Sequence, residues 1–216
     1  MSKIRIDAIL FDKDGTIINS EFANKTAWMT SMTEHGVDFS EADYQTFVGV
    51  PTQKCFDMAR DMLPKDFDWE AFFSTLRTNI RKHYDAGVPF KPGFEDFFAH
   101  IKTLKLPIGL VTSAERKGTE LSFKRSGYLT DFNTIVTIED VDDPKPAPAP
   151  YLLACRKLNV APEHTLVFED SSVGLQSAIS AGCITVAIPD LVDLDVLIKN
   201  QCYRVLTSFS DAYELF

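Results

Sequence analysis

Two aspartates one residue apart, Asp12 and Asp14, form the most reactive pattern in this sequence. They follow the apolar segment 8–11 and precede Gly15, so we expect them at the end of a buried strand. If the strand geometry continues, both side chains point to the same side of the chain. Two carboxylates this close repel each other. The pair therefore predicts a bound divalent cation, a shared proton, or both.

The same pattern has simpler interpretations. Asp-Gly is common in turns, and Asp-x-Asp-Gly also opens calcium-binding loops. The residues after Gly15 lack the regularly spaced oxygen ligands and the closing Glu of an EF-hand loop. We therefore favour a reactive acid pair over a turn alone or a calcium loop.

The composition is that of an ordinary globular protein. The chain has 216 residues, of which 45% are hydrophobic and 25% are charged, which allows one domain or one domain with an insertion. The net charge of -9 disfavours binding to nucleic acid or to an anionic membrane. No apolar segment approaches the length of a membrane-spanning helix, and no secretory signal is recognisable, so we expect a cytoplasmic location. The four cysteines are widely spaced and predict neither a zinc site nor a disulfide framework.

The chain alternates between short apolar segments and helical patterns from about residue 105 onward, as in the βαβ units of a parallel sheet. Residues 17–90 instead show helical periodicity with few strand signals. The sequence therefore predicts an α/β fold with a Rossmann-like parallel sheet core and helices on both faces, formed by residues 1–16 and 91–216. Residues 17–90 are predicted to form an inserted all-helical cap domain.

Polar residues follow four of the predicted strands. They are Asp12 and Asp14 after the first, Thr112 and Ser113 after the second, Lys145 after the third, and Glu169 and Asp170 after the fourth. Ligands of open parallel sheets bind beyond the carboxyl ends of the strands, so we expect these side chains at one site. Taken singly, Thr and Ser are ordinary helix caps, a lysine is usually solvated, and an acidic pair can cap a helix. Their occurrence at four strand ends together favours a functional site.

Carboxylates, a lysine and a hydroxyl suit a phosphoryl group held with a hard divalent cation such as Mg²⁺. In this interpretation Asp12, a main-chain carbonyl near Asp14, and Asp170 bind the metal. Thr112, Lys145 and the backbone N–H groups at Ser113 bind phosphate oxygens. Asp12 is then placed to attack phosphorus, and Asp14 to protonate the leaving oxygen and later to activate water.

These motifs, in this order, resemble those of the haloacid dehalogenase-like hydrolase superfamily. Its phosphatases carry Asp-x-Asp-Gly-Thr, a Thr or Ser strand end, a Lys and an acidic pair, and the resemblance spans residues 11–182. The helical insertion resembles the small cap of the branch that includes phosphoglycolate phosphatase and β-phosphoglucomutase. The resemblance implies the following roles: Asp12 as nucleophile, Asp14 as acid–base residue, Thr112 and Lys145 as phosphate binders, Asp170 as metal ligand, and Glu169 as support for the metal. The dehalogenases of the superfamily lack the second aspartate, so Asp14 favours phosphoryl transfer.

The choice between phosphatase and mutase depends on the insertion. β-Phosphoglucomutase uses a cap His and a cap Arg, and the matching positions here hold Asn24 and Thr52. Without that Arg, the cap lacks the bidentate grip on a second phosphate that a bisphosphate intermediate needs. We therefore favour a phosphatase acting on a small phosphate monoester, such as a sugar phosphate or a phosphoglycolate-like metabolite, with a sugar phosphomutase as the alternative. Thr52 and Lys54 are candidate specificity residues, although an exposed lysine is more often only solvated.

A non-enzymatic interpretation is also open. Receiver domains of signalling proteins combine an acidic site, a phosphorylated Asp, a Thr or Ser, and a Lys on a similar sheet. Their acidic pair and phospho-acceptor lie on different strands, whereas here the candidate nucleophile, Asp12, lies inside the pair. A simple binding protein with the same fold is likewise compatible with these residues. The expected partner is a small-molecule phosphate ester, bound by a monomer or a small homo-oligomer.

Overall fold

The computed structural model describes residues 4–48, 50, 52–190 and 194–216. The chain divides into two compact units. One unit comprises Met1–Ser20 together with Gly87–Phe216, and the other comprises Glu21–Ala86. None of the helices in the described residues combines the length and apolar character that a bilayer crossing requires.

Helices and the turns and loops that join them form the described residues of the second unit. Its helices are α1 (Ser20–Glu34), which begins at the last residue of the other unit, α2 (Glu41–Gln45), α3 (Thr52–Met62) and α4 (Trp69–Ala86). Trp28 lies at the centre of its core and packs against Phe47, Phe56 and Phe72, with ring centroids 5.2 to 5.5 Å apart. Buried aromatic rings supply a large apolar area. The unit therefore has a hydrophobic core of its own, as expected for a domain inserted into a loop.

The first unit is built on a six-stranded parallel sheet. Its strands are β1 (Ala8–Phe11), β2 (Ile108–Val111), β3 (Thr134–Val136), β4 (Thr165–Glu169), β5 (Ile184–Ala187) and β6 (Arg204–Val205). Their order is β3-β2-β1-β4-β5-β6, and all pairs run parallel. The strand order reverses between β1 and β4, where open α/β sheets form their ligand crevice. The predicted α/β class with a Rossmann-like parallel sheet is confirmed.

Helices cover both faces of the sheet. They are α5 (Phe94–Thr103), α6 (Arg116–Phe123), α7 (Ala149–Leu158), α8 (Ser172–Ser180) and α9 (Val196–Lys199). On one face, residues of α7 and α8 pack against Leu10 of β1 and Val167 of β4. Because successive side chains of a strand point to opposite faces, the neighbour of Leu10, Phe11, packs on the other face.

An aromatic cluster fills that second face. Phe11 stacks on Phe168 of β4 with a centroid distance of 5.1 Å, and the two residues are paired in the sheet register. Phe97 of α5 contacts both rings at 6.5 and 5.4 Å, and contacts Phe209 at 5.5 Å. All four side chains are buried. The cluster therefore fixes the end of β1, immediately before Asp12.

Truncation of this cluster is expected to destabilise the fold. Phe97→Ala removes a ring with no exposed surface, and substitutions of this kind cost about 3–5 kcal/mol. Urea unfolding followed by circular dichroism measures the loss. Leu197→Ala is the control, since that side chain is 72% exposed and its loss should change the free energy of unfolding by less than about 0.5 kcal/mol. Equal effects of the two substitutions would contradict the assignment of this core.

Candidate active site

The carboxyl ends of β1, β2 and β4 border a cavity of about 230 Å³. The predicted site residues that line it are Asp12, Asp14, Thr112, Ser113, Lys145 and Asp170, and Ser171, Val173 and Gly174 complete the lining. The cavity lies at the reversal of strand order between β1 and β4, as expected for an open α/β sheet. The structure therefore brings together residues that are up to 158 positions apart in the sequence (12 to 170).

Lys145 occupies the centre of the site. Its ammonium group donates hydrogen bonds to Asp12 Oδ1 at 2.7 Å, to Glu169 Oε1 at 2.6 Å and to the carbonyl oxygen of Val111 at 3.1 Å. The Lys145 side chain is 4% exposed. Burial lowers its pKa, but the Asp12 and Glu169 carboxylates outweigh this effect and raise it overall. Lys145 is therefore a permanent cation beside the Asp12 carboxylate.

Glu169 is the second carboxylate that pairs with Lys145. Its Oε1 accepts a second hydrogen bond, from the Tyr151 hydroxyl at 3.0 Å. Its Oε2 accepts hydrogen bonds from the backbone N–H groups of Asp170 and Ser171 and from the Ser171 hydroxyl, at 3.1 to 3.2 Å. The residue is fully buried, and such a carboxylate is tolerated only when it is paired and hydrogen-bonded. Both oxygens are occupied by protein donors, so we assign Glu169 to positioning Lys145.

Gly174 makes room for the Glu169 carboxylate. A Cβ atom added to Gly174 would lie 1.6 Å from Glu169 Oε1, so no larger residue fits beside the present position of that carboxylate. The Ser171 hydroxyl also accepts a hydrogen bond from the Gly174 N–H, which caps α8. The start of α8 is therefore packed directly against the anchor of the site.

Asp170 contacts the Asp-x-Asp-Gly-Thr segment at Gly15 and Thr16. The Thr16 hydroxyl donates a hydrogen bond to Asp170 Oδ1 at 2.9 Å. Gly15 has a φ of 80°, and a Cβ there would lie 2.3 Å from Asp170 Oδ2. Glycine is therefore required at this position twice, for its backbone conformation and for the close approach of Asp170.

Asp14 has a different environment from Asp12. Its side chain is 40% exposed and forms an ion pair with Lys13 at 2.9 Å between Nζ and Oδ2. Asp12 is buried, with 7% of its surface exposed. The two carboxylates of the acid pair thus divide into a buried member and an accessible one, which suits one nucleophile and one acid–base residue.

Thr112 and Ser113 lie at the end of β2. Thr112 is buried, and its hydroxyl oxygen accepts a hydrogen bond from the N–H of Ala114 at 3.1 Å. Ser113 is exposed on the cavity wall. A hydroxyl held in this way keeps its own proton for an acceptor, such as a phosphate oxygen.

The remaining candidates, Thr52 and Lys54, belong to the helical unit. Lys54 is exposed on α3, and the Thr52 side chain lies outside the described residues. Both stay predictions as specificity residues. Several residues with clear contacts in the site were not predicted: Lys13, Thr16, Tyr151, Ser171 and Gly174. Of these, Lys13 and Thr16 lie within the Asp-x-Asp-Gly-Thr motif and Ser171 directly follows the acidic pair, but the contacts of all five become visible only in three dimensions.

The carboxylates of the site outnumber its ammonium groups. Four carboxylates, from Asp12, Asp14, Glu169 and Asp170, face the two ammonium groups of Lys13 and Lys145. Burial raises the pKa of Asp12 to about 7, helped by the charges of Glu169 and Asp14 and opposed by Lys145. Burial, together with the charges of Glu169 and Asp12, raises the pKa of Asp170 to about 9. When all four carboxylates are ionised, the excess is two negative charges, which a divalent cation would neutralise.

The carboxylate positions also fit a cation. Asp12, Glu169 and Asp170 offer oxygen atoms that all lie within 4.8 Å of one another. Because Glu169 is occupied by protein donors, Asp12 and Asp170 are the side chains that would hold the ion. The all-oxygen donor set is that of a hard divalent metal. A contribution from the main-chain carbonyl near Asp14 stays a prediction.

Comparison with known proteins decides the family. Residues 9–188 match the family model of the haloacid dehalogenase-like hydrolases. The chain belongs to this family. The match extends from β1 to the end of β5, so it includes every strand end that borders the cavity. The predicted superfamily is therefore confirmed, as is the prediction that the protein is a hydrolase.

The sequence of this hydrolase aligns with named relatives over nearly its whole length. It is 30% identical to the validoxylamine A 7'-phosphate phosphatase of Streptomyces hygroscopicus subsp. limoneus, over 88% of this chain and 92% of that protein. It is 28% identical to hexitol phosphatase A of Escherichia coli, over 91% and 92% of the two chains. A crystal structure from Thermotoga maritima, provisionally assigned as a β-phosphoglucomutase, shares the fold with a TM-score of 0.86 at 23% identity, covering 98% of this chain and 100% of that one.

The raised pKa values predict how a metal stabilises the hydrolase. The pKa of Asp12 is about 7 and that of Asp170 about 9 in the folded protein, against about 3.9 for an unfolded aspartate. Groups with a raised folded pKa favour folding at low pH: this contribution is fully present below about pH 4 and is lost as pH rises from there through the folded pKa values of about 7 and about 9. In EDTA we therefore expect Tm to fall from about pH 6 to about pH 9.

Added Mg²⁺ should raise Tm more at the alkaline end of this range, where protons no longer compete for the two carboxylates. Differential scanning calorimetry with EDTA or Mg²⁺ measures both effects. Asp170→Asn is the control and should remove most of the Mg²⁺ shift. A shift that is as large at acid pH as at alkaline pH would contradict this account of the site.

The space at Gly174 gives a second prediction. Gly174→Ala must displace the Glu169 carboxylate, and overpacking of this kind costs about 1–3 kcal/mol. Misplacement of Lys145 should lower activity by on the order of 10²-fold. Gly118→Ala in α6 is the matched control, because an added Cβ there meets no described atom within 4 Å. It should stabilise the helix by up to about 1 kcal/mol with unchanged activity; similar losses in both variants would contradict the role of Gly174.

Proposed function

We propose that this hydrolase is a metal-dependent phosphatase that cleaves a small phosphate monoester through an aspartyl-phosphate on Asp12. The observation that carries the proposal is the buried Asp12 carboxylate at the head of the cavity, ion-paired with Lys145 at 2.7 Å. The cation beside Asp12 opposes the rise in pKa that burial causes and so favours the ionised carboxylate that can act as a nucleophile. The accessible carboxylate of Asp14, two residues further on, supplies the partner that acid–base catalysis needs.

In the first step the Asp12 carboxylate attacks phosphorus. A bond forms between Asp12 and phosphorus, while the bond between phosphorus and the leaving oxygen breaks. Asp14 donates its proton to that oxygen, so the product leaves as a neutral alcohol. Lys145 and the Thr112 hydroxyl bind the equatorial oxygens of the phosphoryl group, where negative charge is concentrated in the transition state.

In the second step water replaces Asp12. Asp14, now ionised, removes a proton from the water as its oxygen bonds to phosphorus. The bond between phosphorus and Asp12 breaks, which releases inorganic phosphate and restores the carboxylate. The proton that Asp14 lost in the first step is thus regained in the second, and the enzyme returns to its starting state.

Mg²⁺ is the cation that we assign to the site, held by Asp12 and Asp170 with the carbonyl near Asp14. When bound, it supplies positive charge that offsets the repulsion between the site carboxylates and the substrate phosphate. The support for this assignment is the oxygen donor set and the excess of two negative charges described above.

A sugar phosphate or a similar polyol phosphate is the proposed substrate class. Relatives named validoxylamine A 7'-phosphate phosphatase and hexitol phosphatase A align with about nine tenths of the chain. Asn24 and Thr52, at positions where a mutase carries His and Arg, support hydrolysis over phosphoryl transfer to a second sugar. The substrate is bound without nucleic acid or membrane as partner.

The proposal is tested by phosphate release from purified protein, with and without Mg²⁺. Suitable esters are hexose and hexitol phosphates, phosphoglycolate and nucleotides, with glucose 1-phosphate isomerisation followed in parallel. Asp12→Asn should abolish release, by at least about 10³-fold, and should remove the phosphate adduct from acid-quenched protein in intact mass spectrometry. Asp66→Asn, an exposed aspartate in the helical unit, is the control and should retain full activity.

Two outcomes would contradict the proposal. Near-normal turnover of the Asp12→Asn variant would exclude the covalent intermediate. Isomerisation of glucose 1-phosphate without release of phosphate would instead identify a mutase.

A further inference from the structure

Lys13 lies between Asp12 and Asp14 in the sequence, and its side chain is almost completely buried. The side chain is 3% exposed, and its ammonium group pairs with Asp14 Oδ2 at 2.9 Å. It also donates a hydrogen bond to the Ser122 hydroxyl of α6 at 3.2 Å. The backbone around it is fixed, since the Lys13 carbonyl accepts hydrogen bonds from the N–H groups of Ile17 and Ile18. A cation in a rigid setting therefore holds one oxygen of Asp14.

Stability does not explain this lysine. Burying an ammonium group costs several kcal/mol of lost hydration, roughly as much as a good buried partner returns. Here the partner carboxylate is 40% exposed, so the solvent that reaches it weakens the attraction. A buried apolar residue of similar length would cost the fold less. The position of Lys13 is therefore better explained by what it does to Asp14.

We propose that Lys13 is a positioning residue for the acid–base function of Asp14, an inference that rests on the proposed phosphatase activity. By holding Oδ2, the ammonium group fixes the plane of the carboxylate and directs the other oxygen, Oδ1, to the leaving group. Oδ1 then carries the proton that passes to the leaving oxygen when the bond between that oxygen and phosphorus breaks. Lys13 itself neither gains nor loses a proton in this step and touches no substrate atom.

The proposal has a signature that a structural role lacks. An alkoxide leaving group is strongly basic and needs a proton as it departs, whereas 4-nitrophenolate departs without one. Loss of the correct Asp14 orientation must therefore slow the cleavage of alkyl phosphates more than that of 4-nitrophenyl phosphate. The quantity to compare is kcat/KM, because it reports the step in which the ester bond breaks and not the later hydrolysis of the aspartyl-phosphate.

Lys13→Met is the test, because methionine replaces the buried stem and removes the ammonium group. We expect kcat/KM to fall by on the order of 10²-fold for an alkyl ester such as sorbitol 6-phosphate and by less than about tenfold for 4-nitrophenyl phosphate. Lys13→Arg, which restores a cation, should recover part of the loss on the alkyl ester. Lys117→Met, an exposed lysine on α6, is the matched control and should leave both substrates unaffected. Thermal unfolding of each variant establishes that the fold is intact.

Equal losses on both esters, or no loss on either, would overturn the proposal while leaving the phosphatase assignment in place. If Lys13→Met does not fold, the comparison is made with Lys13→Arg and Lys13→Gln, and a uniform effect there has the same meaning. A wild-type protein that hydrolyses neither ester would overturn the proposed function itself, and this inference with it. The two failures are therefore distinguishable in one set of measurements.

Discussion

The ammonium group of Lys145 joins three strands of the sheet at the point where the chemistry is proposed to occur. It bonds to Asp12 beyond β1, to the carbonyl of Val111 in β2 and to Glu169 at the end of β4. Desolvation offsets much of the attraction in such buried ion pairs, so their value to the fold is small. Their value to the site is positional. The carboxylate of Asp12 has a fixed partner, and that partner is fixed in turn by Glu169, which Tyr151 and the start of α8 hold in place.

The charges of the site are also unbalanced. Most buried carboxylates in proteins are matched by cations of the protein itself, and the nearby Asp190, which pairs with Lys91, follows this rule. Asp12 instead shares Lys145 with the Glu169 carboxylate, and Asp170 is hydrogen-bonded to the neutral Thr16 hydroxyl, so the raised pKa values of both aspartates record an electrostatic penalty. The carboxylates cannot move apart to relieve this penalty, because close-packed residues surround them. A Cβ atom at Gly15 or Gly174 would already overlap with Asp170 or Glu169. A bound divalent cation would relieve this penalty.

Sequence patterns predicted the sheet and the residues at its edge, but not the contacts beneath them. The parallel sheet was predictable because short apolar segments such as 165–168 alternate with helical patterns, and its functional edge because acidic residues follow the segments 8–11 and 165–168. The sixth strand was missed, since Arg204–Val205 is two exposed residues long and has no alternation to detect. Tyr151 resembles any apolar residue of a helix until its hydroxyl is seen on Glu169. Lys13 lies inside the Asp-x-Asp-Gly-Thr motif, but its burial and its ion pair with Asp14 cannot be read from the sequence.

The position of the helical insertion affects the order in which parts of the chain fold during translation. β1 ends at Phe11, yet its two neighbours in the sheet begin at Ile108 and Thr165. Translation completes the helical unit, Glu21–Ala86, before either neighbour exists, and domains generally fold as units during synthesis. β1 therefore stays unpaired while the helical unit, which follows it in the chain, folds first. Asp12 is among the first residues made, but it meets Lys145 and Glu169 late, so a truncated nascent chain lacks the contacts that the proposed nucleophile depends on.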